Sequence, residues 1–232
     1  MKSTQTKLSA LLLGGILSYT GVAYAVPSAT LASLAANPAN SVNIGDKTFS
    51  GFTFNASNLA GFNAANILVT ASVDAGGVYY LTWGGNMNAN LVGPGATADL
   101  LLNYTVTASA GLISMIDQSY TGSGQGGGFL AIDETVRNTA GAIVAKSTLD
   151  LTDIEDPFAE VGDDLDTAPG YSVLRVTKDI GYGSGPGATF ISLSEVKQSF
   201  HQQGVPEGGM TIILLGGALS ALGLARRMKF LS

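Results

Sequence analysis

The densest group of chemically capable side chains is an acidic stretch from Asp150 to Gly170. Six of its carboxylates are the candidate ligands for a cation: Asp153, Glu155, Asp156, Asp163, Asp164 and Asp166. Ca²⁺ takes about six to eight oxygen ligands and is plentiful outside cells, so the stretch predicts either a calcium site or a solvated acidic loop. It has neither EF-hand spacing nor a glycine-aspartate repeat, and both interpretations stay open.

Nucleophilic catalysis would have to use His201, because the chain has 1 histidine. A nucleophile elbow needs Gly-x-Ser-x-Gly, and Gly181–Gly185 carries its serine at the wrong offset. The glycine cluster Gly122–Gly128 lacks the lysine of a phosphate-binding loop. The chain has 0 cysteines, which excludes disulfides, a thiolate zinc site and a cysteine nucleophile. The sequence therefore predicts no catalytic residues and no enzyme.

Sugars are the remaining small-molecule class that the residue types allow. The acidic residues leave a paired-carboxylate glycosidase open, because the separation of two carboxylates is not readable from a sequence. A sugar-binding face would use exposed aromatic rings, for which the chain offers several candidates: Tyr79, Tyr80, Trp83, Tyr104, Tyr120, Tyr171 and Tyr182. Strand alternation must turn some of these rings inward, where they pack in the core.

The elements that position these side chains are predicted to be β-strands. Short runs of β-branched and aromatic residues alternate with glycine clusters, as in all-β domains. Asp99–Ala108 has the clearest alternation of apolar and polar residues. Ile67–Val73 and Val78–Trp83 are joined by a short glycine-bearing link, which favours a hairpin.

We predict an antiparallel β-sandwich, jelly-roll or immunoglobulin-like, built from about nine strands. It occupies residues 26–204. Three stretches are expected to lie outside strands: Val26–Ile44, Gly84–Thr97 and the acidic stretch.

The charge of that central part is strongly negative. Residues 26–204 hold six basic and sixteen acidic residues, a net charge of −10. Such a surface disfavours nucleic acid and anionic lipid as partners and favours cations or basic partners.

The N-terminus has the pattern of a secretory signal peptide over residues 1–25. Lys2 and Lys7 precede an apolar run from Leu8 to Val22, and Ala23 and Ala25 supply the small residues of a cleavage site. We therefore expect export through the Sec machinery.

The C-terminus, residues 205–232, has three parts. Val205, Pro206, Glu207, Gly208 and Gly209 form a short motif. An uncharged apolar run of sixteen residues follows, which as a helix spans about 24 Å and enters a bilayer with little mismatch. Arg226 and Arg227 then end the run, and the positive-inside rule keeps them in the cytoplasm.

This order of motif, apolar helix and arginine pair resembles the PEP-CTERM sorting signal. The commonest form of that signal begins Val-Pro-Glu-Pro, whereas Gly208 makes this chain nearer to the VPDSG-like variant. The resemblance implies a substrate of an exosortase, a membrane protease-transpeptidase of Gram-negative bacteria that make extracellular polymer. It further implies transient insertion in the inner membrane, cleavage near Val205–Gly209 and release to the cell surface, extracellular matrix or biofilm.

Two hypotheses for function follow. The first is an exported surface or matrix protein without enzymatic activity, processed at its C-terminus. The alternative is a module that binds extracellular polysaccharide, with calcium as a possible cofactor.

Overall fold

The computed structural model describes residues 27–151, 158–163 and 170–203, and these residues form two antiparallel β-sheets. The first sheet has seven strands: β1 (Ser28–Thr30), β4 (Leu68–Val73), β5 (Tyr79–Gly84), β6 (Ala89–Leu91), β8 (Leu112–Gln125), β11 (Phe158–Asp163) and β13 (Thr189–Gln203). The second has six: β2 (Ser41–Ile44), β3 (Lys47–Ser57), β7 (Thr97–Ala108), β9 (Phe129–Arg137), β10 (Ile143–Leu151) and β12 (Val173–Gly183). Helix α1 (Leu31–Ala35) and a 3₁₀ turn (Ala64–Asn66) complete the elements.

Strand order places the longest strands at the centre of each sheet. The first sheet runs β1-β4-β5-β13-β8-β11, with β6 also paired to β13, and the second runs β10-β9-β12-β7-β3-β2. The predicted β-sandwich is therefore confirmed as an all-β, antiparallel fold.

One hydrophobic core lies between the two sheets. Every second side chain of a strand points into this core. In β7 the buried residues are Leu100, Leu102, Tyr104 and Val106, while the residues between them are half-buried. Tyr104 is the hub of an aromatic cluster and lies 5.2 Å, centroid to centroid, from Trp83 of the facing sheet. Such cross-sheet contacts hold the sandwich closed.

The predicted hairpin is confirmed as β4 and β5. Asp74 forms the turn, since its carboxylate accepts from the backbone N–H groups of Gly76 at 2.8 Å and Val78 at 3.0 Å. These bonds, Val78 N–H first, hold the pKa of Asp74 below its ordinary value.

The predicted count of about nine strands is wrong, because the described residues contain thirteen. Val26–Ile44 contains β1, α1 and β2, the stretch Gly84–Thr97 contains β6, and the acidic stretch contains β11. Strands of three to six residues carry too few alternations to be recognised in a sequence. Three of them, β2, β6 and β11, form here because a neighbouring long strand offers unpaired backbone groups, and β1 pairs with β4.

Two glycine-rich loops pack against each other beside β13, and Gly185 lies at their closest approach. A Cβ on Gly185 would lie 2.5 Å from the carbonyl oxygens of both Gly126 and Gly127. Thr189 Oγ1 links the same loops, donating to Gly126 O at 3.3 Å and accepting from Gly185 N at 3.1 Å. The glycine cluster Gly122–Gly128 is accordingly strand up to Gln125 and then a packed turn.

Candidate functional site

The exposed face of the first sheet carries the main cluster of polar side chains in the described part of the chain. We call it the outer-face cluster, and it comprises Tyr80, Asp117, Ser119, Lys197, Ser199 and His201. Strands β5, β8 and β13 supply these residues, and β13 lies between the other two.

Sheet register sets the spacing within this cluster. Ser199 of β13 is directly opposite Tyr80 on one side and Asp117 on the other. Lys197, two residues earlier, is opposite Ser119 of β8. Neighbouring strands are about 4.8 Å apart, so the side chains form two polar rows across the sheet.

Two contacts hold the side chain of Tyr80, one at its hydroxyl and one at the face of its ring. Its hydroxyl donates to Asp74 Oδ2 at 2.9 Å, and the Lys197 ammonium lies 4.1 Å from its ring centroid. A cation over an aromatic face is attracted by the ring quadrupole. The half-buried ring therefore has a fixed position on the sheet surface.

Asp117, Ser199 and His201 contact one another. Asp117 Oδ2 lies 2.7 Å from His201 Nε2 and accepts from Ser199 Oγ at 3.1 Å, and Ser199 Oγ is 3.2 Å from the same Nε2. A catalytic triad needs its serine and its carboxylate on opposite ring nitrogens of the histidine. Here Ser199 and Asp117 both contact Nε2. The three residues therefore form a polar surface contact and do not have the geometry of an activated nucleophile.

A shallow pocket of about 70 Å³ opens within the cluster. Tyr80, Asp117, Ser119, Lys197 and Ser199 are among its lining residues. They offer hydroxyl groups, a carboxylate, an ammonium and an aromatic ring. This set suits a ligand with many hydroxyl groups more than a large apolar one.

The exposed face of the second sheet holds a carboxyl pair, Asp99 and Asp179. Burial first, and then the hydrogen bond and charge of Asp179, raise the pKa of Asp99 to about 6. The pair lies on an open strand surface, as expected from the register of β7 against β12.

The predicted calcium ligands are not brought together by the described residues. Asp153, Glu155, Asp156, Asp164 and Asp166 lie outside those residues, and Asp163 is the last residue of β11. Within residues 27–151, 158–163 and 170–203, no group of three or more His, Asp or Glu side chains is placed to hold a metal ion.

The predicted processing sites also lie outside the described ranges. They are Ala23 and Ala25 at one end, and Val205, Pro206, Glu207, Gly208, Gly209, Arg226 and Arg227 at the other. Among the residues that the structure does describe, no helix is long and apolar enough to cross a membrane.

Most of the aromatic candidates for a sugar face belong to the core. Trp83, Tyr104, Tyr120 and Tyr182 are buried. Tyr79, Tyr80 and Tyr171 are half-buried, and Tyr80 alone among these three lines the pocket described above.

Two groups of residues were missed by the sequence analysis. The first is the contact of His201, in β13, with Asp117, which lies 84 positions earlier in the chain. The second group is Gln118, Glu134 and Lys178, which are buried in the core. Each occupies an inward position of an otherwise apolar alternation, and that was a readable signal.

Comparisons with known proteins give structural likenesses only. No family model matches the chain, and no curated protein does. Among solved structures, TmCBM61 in complex with beta-1,4-galactotriose aligns at 10% identity and a TM-score of 0.34, covering 66% of this chain and 88% of its own.

Two others are similar to the same extent. A carbohydrate-binding module from the beta-sandwich superfamily aligns at 14% identity and a TM-score of 0.32, over 62% of this chain and 55% of its own. The CBM36-1 domain of a xylanase from the hindgut metagenome of Trinervitermes trinervoides aligns at 12% identity and a TM-score of 0.28, over 66% of this chain and 100% of its own. Likenesses at this identity and TM-score assign no residue and no function to this chain.

Proposed function

We propose that this protein is an exported surface module that binds a hydroxyl-rich extracellular polysaccharide through the outer-face cluster. The observation that carries the proposal is the row Tyr80–Ser199–Asp117 across three adjacent strands, with Lys197 and Ser119 in the next row. This row combines an aromatic ring with fixed hydrogen-bonding groups on a rigid sheet.

Sugar recognition needs both kinds of group. The C–H face of a sugar ring packs on an aromatic ring, and its hydroxyl groups exchange hydrogen bonds with polar side chains. Tyr80 is already immobilised by Asp74 and Lys197, so little side-chain entropy is lost on binding. An open, shallow pocket admits a segment of a chain whose two ends continue beyond it.

We propose further that the module acts without catalysis. Asp117 and Ser199 share one nitrogen of His201, so His201 is not positioned as a base that activates Ser199. Export and C-terminal processing by an exosortase remain part of the proposal on the basis of the two chain ends. The intact mass of the protein recovered from its native cell surface tests them, because processing removes the residues after the Val205–Gly209 motif.

The binding proposal is tested with a glycan array, with and without a chelator, followed by titration of the best ligand. Tyr80→Ala is expected to weaken binding about tenfold or more, since aromatic residues dominate such contacts. Phe54→Ala is the matched control, because Phe54 is an aromatic residue 37% exposed on the second sheet. Equal affinity for wild type and Tyr80→Ala, or binding to no glycan, would overturn the proposal.

A further inference from the structure

Three polar side chains meet in the core, between the two sheets. Lys178 of β12 is 0% exposed, and Glu134 of β9 and Gln118 of β8 are each 1% exposed. Lys178 and Glu134 belong to the second sheet and Gln118 to the first, so the group spans the interior of the sandwich.

Their contacts place an amine against a side-chain amide. Lys178 Nζ lies 2.8 Å from Gln118 Oε1 and 2.5 Å from Glu134 Oε2. The amide nitrogen of Gln118 is turned away, since it donates to Ser147 Oγ and, at 3.4 Å, to Ile132 O. The carbonyl of the amide therefore faces the amine, with a carboxylate beside it to carry protons.

We propose that Lys178 and Gln118 join in an intramolecular isopeptide bond, with Glu134 as the proton carrier. Glu134 takes one proton from the Lys178 ammonium, and the free amine attacks Cδ of Gln118. The Nζ–Cδ bond forms, the Cδ–Nε2 bond breaks, and a second proton from Nζ leaves with Nε2 as ammonia. The products are a secondary amide, a protonated Glu134 carboxyl and ammonia, so atoms and charge balance without a co-reactant.

Burial favours this reaction in two ways. Fixing the amine and the amide at hydrogen-bonding distance removes the entropic cost of bringing them together. Two opposite charges held in the core are costly relative to neutral groups, and the product holds neither charge. Exclusion of water protects the amide from competing hydrolysis.

A second buried lysine, Lys47, is a comparison for Lys178, because it is paired with a carboxylate in a different arrangement. Lys47 is 1% exposed and pairs with Asp46 at 2.7 Å, under the ring of Tyr79. The amide near it, that of Gln202, presents its nitrogen to Asp46 at 2.7 Å and not its carbonyl to the amine. Among the described residues, Lys47 therefore contacts a carboxylate but no side-chain amide carbonyl, and it serves as an internal control.

Peptide mass spectrometry of the full chain, expressed and purified in folded form, tests the proposal. We expect a branched peptide joining residues 118 and 178, lighter than its two parts by about 17 Da, the mass of ammonia. Trypsin is expected not to cleave after Lys178. Because the measurement is made on internal peptides, processing at either chain end does not affect it.

Variants test the proposed roles of Lys178, Gln118 and Glu134. Lys178→Met and Glu134→Gln are expected to abolish the branched peptide, and Lys47→Met is expected to retain it. Unmodified peptides from folded wild type would overturn the proposal. A loss of about 18 Da, the mass of water, with the link at Glu134 would overturn Gln118 as the acceptor.

Discussion

The proposed covalent link between Lys178 and Gln118 stabilises the folded protein. A variant that cannot form the link measures that stabilisation. The two residues are 60 positions apart, so the bond closes a large loop in the unfolded chain. The loop-entropy relation for such a cross-link gives about 4 kcal/mol of stabilisation at room temperature. Lys178→Met is therefore expected to lower the free energy of unfolding by at least about 4 kcal/mol, since it also removes the polar group of residue 178 that faces the buried Glu134.

Urea unfolding separates this effect from the loss of a buried ion pair. A cross-linked unfolded chain exposes less surface, so the denaturant slope m should be lower for wild type than for Lys178→Met. Lys47→Met loses the other buried ammonium but no cross-link, and its m should equal that of wild type. If Lys178→Met and wild type have the same m, and the loss of stability is well below about 4 kcal/mol, the reasoning is wrong.

Three further predictions concern the fold. Gly185→Ala should lower the free energy of unfolding, measured with urea, by about 1–3 kcal/mol, because the added Cβ lies 2.5 Å from two backbone oxygens. Gly187→Ala is the control and should not destabilise the protein, since an added Cβ there has no atom within 4 Å. Equal losses of stability in the two variants would contradict the packing described. The pKa of Asp99 rises from 3.8 to about 6, so its stabilising contribution is full below 3.8 and is lost as pH rises through about 6. Asp99→Asn should therefore flatten that part of the stability–pH curve and stabilise the protein at pH 7 by about 1 kcal/mol after allowance for solvent screening, and an unchanged curve would contradict the raised pKa of Asp99. Tyr182→Phe should lower the free energy of unfolding by about 1–2 kcal/mol, because the buried hydroxyl donates to a loop carbonyl at 2.7 Å; a thermal melt identical to wild type would count against that bond.

Local alternation made the long strands predictable. In β7 every second residue from Leu100 to Val106 is apolar, and the structure buries those residues. The hairpin of β4 and β5 was predictable for a similar reason, since its turn is contained within a few consecutive residues. These features depend on neighbours in the sequence and on little else.

The candidate site was not predictable, because it depends on register between distant strands. Asp117 and His201 are 84 positions apart, and their contact requires that β8 and β13 pair in one particular register. The same holds for Lys178 and Gln118, whose positions in apolar alternation indicated burial but not their partner. Long-range pairing of this kind follows from the packing of the whole core.

The most direct test of the proposed function is a map of amide chemical shifts in the full chain as a polysaccharide identified on the glycan array is added. The outer-face cluster predicts that shifts concentrate at Tyr80, Asp117, Ser119, Lys197 and Ser199 on adjacent strands of the first sheet. Tyr80→Ala should abolish them at the same ligand concentration, while Phe54→Ala should leave them in place. Shifts confined to the second sheet or to the glycine-rich loops would contradict the proposed binding surface.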